Sequence, residues 1–367
     1  MTTALHPDRL RQLADLDGPE RAFLTVYLDA DAERSQIEAR LGEIRRLLAG
    51  HEAETEHFEQ NWEIVQRLLD ANAPPETGSL AVFACWAVEL AHVETVPVAV
   101  GTQIRVGDSP HVRPLYEALD EHETYGVAIV DNSAARVFLV EAGNAELDRR
   151  VSGGVKNSVK VGGWSQKRYA RRRDKELAEY AKSVAGALQT LHDAHPYTRL
   201  VLLGSSEAMQ AVKAQLSTAL RERLTAPQPV DVDRPEGELM AVAEEAAQAD
   251  ERDNEQRLWS EIQSQGLGGT LGAFGPTAVL KAVAAARAEA ILVDREAELV
   301  GTRCRACEAV VYGTPDTCQT CGSADVFELD LVEHLVEKAA QTGASVDFAD
   351  PFPALVEAGQ VATLLRY

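Results

Sequence analysis

Apolar and polar positions along this chain switch repeatedly between a two-residue and a 3.6-residue period, and the switches mark its elements. Leu10 to Leu13 reads as a short helix. Phe23-Leu24-Thr25-Val26-Tyr27-Leu28 is a β-branched and aromatic run of the kind that forms a buried strand. From Ala32 to Leu69 apolar residues recur at helical spacing among many charges. Ile37, Leu41, Ile44, Leu47 and Leu48 form one stripe and Ile64 and Leu68 a second, with a break near Gly50. Leu80 to Ala84 is a further strand, and the apolar segments around Val88 and Val96 to Val100 are expected to extend the same sheet. This first α/β domain, without a recognisable partner in its sequence, is placed at residues 1–120.

A second domain starts with the strand Gly126 to Val130, which turns through Asp131-Asn132-Ser133 and returns along Ala135 to Val140. Ser152 to Ser165 is glycine-rich and basic, so it reads as a loop. Gln166 to Leu191 then reads as a long helix, followed by the strand Leu200 to Leu203. Gly204-Ser205-Ser206 leads into one helix from Glu207 to Leu224, a strand-then-helix order that implies a parallel sheet. The domain spans residues 124–235. A connecting helix, apolar at helical spacing and acidic, covers 236–265. The five glycines between Gln265 and Gly275 mark a boundary, and the last domain takes 266–367. It contains a helix from Ala278 to Ala288, a strand from Ala290 to Asp294, a helix from Asp330 to Gly343, and strands at Ser345 to Phe348 and Val361 to Leu365. The fold class is α/β and multidomain.

Composition adds bounds to this picture. The chain has 367 residues, 45% hydrophobic and 26% charged, which suits soluble domains with sizeable cores. No stretch approaches the ~20 apolar residues that span a bilayer, and Met1 to Ala14 lacks a signal-like apolar core, so a cytoplasmic protein without a membrane partner is expected. Five cysteines, four of them in two close pairs, exclude a disulfide framework spread over the chain.

The paired cysteines carry the most specific signal. Cys304-Arg305-Ala306-Cys307 and Cys318-Gln319-Thr320-Cys321 each place two thiolates at the spacing of a tight turn, ten residues apart, with Gly313, Thr314 and Pro315 supplying a turn between them. One structural Zn²⁺ is the expected cofactor, held in a ribbon at 302–323. Four thiolates close the coordination shell, so the metal is not expected to activate water. A redox role for either pair is the rival reading. Cys85 lies in an apolar run and reads as a buried thiol.

Charge is distributed unevenly. A formal net charge of -22 opposes general attraction to nucleic acid, and no DNA partner is expected. Yet Arg149 to Lys175 holds ten Lys or Arg against one acid, Asp174. At its centre stands Gly162-Gly163-Trp164-Ser165-Gln166, with Lys167, Arg168, Arg171, Arg172 and Arg173 following. The glycines permit close approach to another backbone, the cations suit phosphates, and Trp164 can stack on a base. A solvated helical face behind a flexible loop is the alternative.

These residues resemble a known family, the archaeal and eukaryotic class 1 peptide chain release factors with Pelota and their bacterial relatives. In that family a mobile Gly-Gly-Gln loop of the middle domain enters the peptidyl transferase centre and helps water attack the ester of peptidyl-tRNA. Gly162 and Gly163 match the glycines, whereas Gln166 is displaced by Trp164 and Ser165, a variant similar to the Gly-Ser-Gln loop of a eukaryotic quality-control hydrolase. The last domain is similar to the third domain of archaeal release factors through Ala290 to Asp294, the cysteine insertion, Asp330 to Glu337, Gly343 to Val346 and Leu364 to Tyr367. The resemblance implies a ribonuclease H-like middle domain and a ribosomal-protein-like C-terminal domain with an inserted zinc ribbon. It also implies Gly162, Gly163 and Gln166 as catalytic residues. The Asn-Ile-Lys-Ser stop-codon motif is absent from residues 1–120, so decoding is not expected.

Two functions fit. One is a ribosome-associated peptidyl-tRNA hydrolase acting in rescue, with ribosomal RNA at the A site and peptidyl-tRNA as partners. The other is a non-catalytic hibernation factor that occupies the A site. A stand-alone nuclease built on Asp131 is a third and weaker reading, because one acid does not make a two-metal site.

Overall fold

The structure is a computed structural model that describes residues 7–19, 21–72, 75–153, 164–268 and 271–367. The N-terminal segment runs α1 (Pro7–Ala14), β1 (Phe23–Asp29), α2 (Arg34–Leu48), α3 (Glu52–Ala71), β2 (Ser79–Cys85), β3 (Leu90–Val96), β4 (Gln103–Gly107) and α4 (Arg113–Glu121). Its sheet has the order β3-β2-β1-β4 and is antiparallel throughout. Strand β1 is buried on both faces, which explains its unbroken apolar run. Leu24, Val26 and Leu28 pack under Leu41 and Leu48 of α2 and Phe58 and Val65 of α3, while Tyr27 faces the other side. The two helices break at Gly50, whose φ is +95°. Only part of the expected sheet extension forms: Val96 ends β3, Val88 sits in a single 3-10 turn (Trp86–Val88), and the fourth strand is β4.

The middle segment runs β5 (Tyr125–Val130), β6 (Ala134–Glu141), β7 (Asn144–Ser152), α5 (Trp164–Ala194), β8 (Arg199–Gly204), α6 (Ser206–Gln215), α7 (Thr218–Glu222), β9 (Gln228–Pro229) and α8 (Glu236–Leu267). The sheet order is β7-β6-β5-β8-β9. Its first three strands form an antiparallel meander, and β8 and β9 continue parallel to β5. This is the ribonuclease H-like arrangement the resemblance implied. Alternation along β5 sends Ala128 and Val130 toward α5 and α6, and Val127 and Ile129 toward Leu239 and Ala243 of α8, giving three layers. The single helix expected from Glu207 to Leu224 is two. Leu216 turns extended, and Ser217 caps α7 by accepting from Leu220 N at 3.3 Å.

The C-terminal segment runs β10 (Gly272–Phe274), α9 (Pro276–Ala284), β11 (Ala288–Asp294), β12 (Val300–Cys304), β13 (Val310–Tyr312), β14 (Val326–Asp330), α10 (Leu331–Thr342), β15 (Ser345–Ala349), α11 (Pro353–Glu357) and β16 (Val361–Leu365). A four-stranded sheet, β10-β16-β11-β15, pairs β11 with β15 in parallel, and a separate sheet, β13-β12-β14, forms the ribbon. Helix α9 stops four residues earlier than its apolar pattern suggests, because Ala286 takes a left-handed φ of +53° and Ala288 already begins β11. Asp330 caps α10 by accepting from Val332 N and Glu333 N, and Gly343 closes it at φ +69°.

Two compact units result. One joins Met1–Glu121 to Glu255–Tyr367, and the other is His122–Asn254. Within the first unit the N-terminal and C-terminal segments share one core, where Tyr27, Phe83 and Leu115 meet Leu331, Leu335 and Phe348. Among the described residues no helix is long and apolar enough to cross a membrane.

Candidate functional site

The ribbon gathers all four predicted cysteines. Cys304 ends β12, Cys307 follows in the turn, and Cys318 and Cys321 come from the loop between β13 and β14. Their sulfurs all lie within 4.8 Å of one another, with Cys304 Sγ 3.5 Å from Cys321 Sγ and Cys307 Sγ 3.6 Å from Cys318 Sγ. Tetrahedral thiolates at ~2.3 Å from one ion stand ~3.8 Å apart, so the cluster has the size of a single metal site. Both turns are built alike. Glu308 and Gly322, each directly after the second cysteine of its pair, adopt left-handed φ values of +60° and +77°. Backbone N–H groups at Cys321 and Thr320 point at the Cys318 sulfur and favour its thiolate, while hydrogen bonding among the neighbouring sulfurs pushes the Cys307 and Cys321 thiols up. Arg305 fastens the first turn to the sheet, bonding Asp325 at 2.8 Å and lying over the Phe327 ring at 4.9 Å. Cys85 is buried on β2, and burial pushes its thiol up, as expected of an inert side chain.

The basic segment is placed in part. Gly162 and Gly163 lie outside the described residues. Trp164, Gln166, Lys167 and Arg168 fall in the opening turns of α5, so Gln166 belongs to a helix and not to a loop. The three arginines behind them divide. Arg171 is exposed. Arg172 reaches Glu176 one turn on at 2.9 Å, and Arg173 leaves the helix to bond Glu207 of α6. Arg149 and Arg150 stand on β7, an edge strand exposed along nearly its whole length.

Asp131, the nuclease candidate, serves its own turn. Its Oδ1 accepts from Ser133 N, Ser133 Oγ and Ala134 N at 2.5, 2.8 and 2.7 Å. Burial acts to raise this carboxyl, but those donors outweigh it and hold it below the usual range. Among the described residues the cysteines are the one group of three or more His, Cys, Asp or Glu side chains set for a metal.

The model of the Bacterial archaeo-eukaryotic release factor family 10 matches residues 110–249. Among curated proteins the chain is similar to peptide chain release factor subunit 1 of Methanopyrus kandleri, 26% identical over 315 residues that cover 81% of this chain and 76% of the relative. It is also similar to the protein of that name from Methanocaldococcus jannaschii, 24% identical over 395 residues, covering 92% and 89%. Over residues 110–249 the chain is therefore similar to this release factor family. Among solved structures it is similar to Dom34 of S. cerevisiae, a translation termination-like factor, with 11% identity, a TM-score of 0.43, and 76% and 72% of the two chains covered.

The matched segment takes in the middle domain and the start of α5, and leaves the cysteine ribbon outside it. It also leaves out most of a charged cluster that the sequence did not point to. In the first unit, Glu333 of α10 bonds His111 Nδ1 at 2.6 Å and accepts from Val112 N at 2.8 Å. One turn on, Glu337 accepts from Ser109 Oγ, and Arg303 of β12 pairs with Asp108. Asp108, Ser109, Arg303, Glu333 and Glu337 line a cavity of about 230 Å³. Burial, then Glu333 and Asp108, push the Glu337 carboxyl up to about 8, whereas burial, Lys338 and Arg303 push His334 down to about 4. The available signal was an acid, Glu337, directly after Val336 and before Ala339 on the apolar stripe of α10.

Proposed function

We propose that the chain is a ribosome-associated, release-factor-like translation factor that hydrolyses peptidyl-tRNA in ribosome rescue. The observation that carries this reading is the basic end of α5, exposed at Arg171 and Arg172, in a segment the release factor family matches and directly after Gly162 and Gly163. The names of the two archaeal relatives point the same way. In this reading Lys167, Arg168, Arg171 and Arg172 lie along ribosomal RNA phosphates at the A site, and Trp164 stacks on a base. Backbone groups of Gly162 and Gly163 with Gln166 place the attacking water and stabilise the charge that develops on the ester, while the RNA supplies the rest of the site. The cysteine cluster holds one Zn²⁺ and keeps the ribbon folded.

A second reading is favoured by one feature. Gln166 stands on a helix, two residues farther from the glycines than in the Gly-Gly-Gln pattern, which suits a hibernation factor that occupies the A site without hydrolysis. Peptide release from stalled ribosomes decides between them. The hydrolase reading expects release that falls at least ~10-fold in Gln166→Ala, the scale of one lost positioning or charge-stabilising group. Equal release by both proteins removes Gln166 from the chemistry. Co-sedimentation with ribosomes without any release selects the binder.

A further inference from the structure

Helix α5 has a long approach before its core begins. Leu177 is its first buried side chain among those described, and from there Tyr180, Ala181 and Val184 run against Ala208, Met209 and Val212 of α6. Between Trp164 and Leu177 lie about 20 Å of helix. Among the described side chains of that stretch, Arg173 is the one that bonds to another element, through Glu207 at the start of α6. The same Glu207 Oε2 accepts from Asn132 Nδ2 at 3.0 Å, and Asn132 sits in the turn after β5. Asp131 fixes that turn by its three acceptor bonds. Gly153, directly after β7, donates its N–H to Ser133 O of the same turn, and a Cβ there would meet the Tyr180 ring at 2.8 Å. Strand end, turn and helix therefore converge on one place in the middle domain.

From this geometry we infer that Glu207 is a positioning residue, which aims the basic end of α5 by holding Arg173 and Asn132 together. The inference rests on the reading that this end of α5 presents the reacting group. Arg173 is thereby withdrawn from the set of RNA-facing cations, and Arg171 and Arg172 remain. Asn132 contributes as a donor: its Nδ2 meets Glu207, while its Oδ1 is buried without a hydrogen-bond partner among the described residues. An acid at position 132 would keep the shape, lose the donor and set a second negative charge against Glu207.

The test uses the full chain with Glu207→Gln, Asn132→Asp and the charge swap Arg173→Glu with Glu207→Arg. In the swap, Asn132 Oδ1 can turn to accept from the new guanidinium. Hydrogen exchange of amides 164–176 is expected to accelerate about tenfold in both single variants and to return toward the parent in the swap, with β8 still protected in all three. In peptide release from stalled ribosomes the single variants should lose about tenfold in kcat with KM within about twofold, since docking by Arg171 and Arg172 is intact and aim is not. Unchanged exchange at 164–176 in the single variants, or a swap that restores nothing while β8 stays protected, overturns the inference. A parent chain that releases no peptide counts against the hydrolase reading alone, because the exchange measurement still decides on the bracket.

Discussion

Glu308 and Gly322 take the same backbone turn after their cysteines, yet only one of them is the residue that turn favours. A side chain in the left-handed region costs ~1–2 kcal/mol, partly offset by the greater freedom of glycine when unfolded. Nothing lies within 4 Å of a Cβ built on Gly322, so Gly322→Ala tests conformation alone. It should destabilise the ribbon by about 1 kcal/mol and release zinc to a chelator more readily, with Glu308→Gly changing both in the opposite sense. Metal analysis of the parent chain should find one zinc per molecule, and a metal-free preparation with normal stability would remove the site. The cysteines themselves were legible because their spacing is a local property. The strain at Glu308 was not, because nothing in a glutamate announces a positive φ.

Helix α10 was also legible as an element, from Asp330 to Gly343, but its two acids were not. Glu333 and Glu337 meet His111 and Ser109 across more than 200 residues of sequence, and such pairings leave no local pattern. Strands β4 and β7 escaped for a different reason: β7 is exposed along both faces, so no alternation of apolar and polar residues marks it. The α10 cluster carries a pH dependence whose sign follows from Glu337. Its folded pKa, about 8, lies above the ordinary carboxyl value, so the stability it contributes is complete below about 4.3 and is lost as pH rises through about 8. The ionised form would stand beside Glu333 and Asp108, with Lys338 the cation acting on it, Arg303 paired with Asp108, and His334 neutral. Chemical unfolding midpoints should therefore fall between pH 6 and pH 9, and Glu337→Gln should flatten that decline. An equally steep decline in the variant would show that other groups cause it.

At the level of the molecule, the sequence pointed to three successive α/β domains and a connecting helix, while the compact units divide the chain differently. The middle unit, His122–Asn254, has its own sheet and two cores of its own, one against α5 and α6 and one against α8. A fragment 122–254 is expected to fold alone with a cooperative thermal transition by circular dichroism. A fragment 1–121 is not, because Tyr27, Phe83 and Leu115 would lose the apolar cover of Leu331, Leu335 and Phe348, and burial of each such side chain is worth ~1.5–3 kcal/mol. A sharp transition in the 1–121 fragment would contradict this.

That shared core sets an order of events during synthesis. Chain growth proceeds at ~5–20 residues per second, so Tyr27, Phe83 and Leu115 leave the exit tunnel roughly 10–60 s before Leu331 and Phe348 exist to cover them. In that interval the middle unit can already close on itself. The newborn N-terminal sheet waits with one greasy face open, and slow translation of the last hundred residues would lengthen its exposure to chaperones and to aggregation.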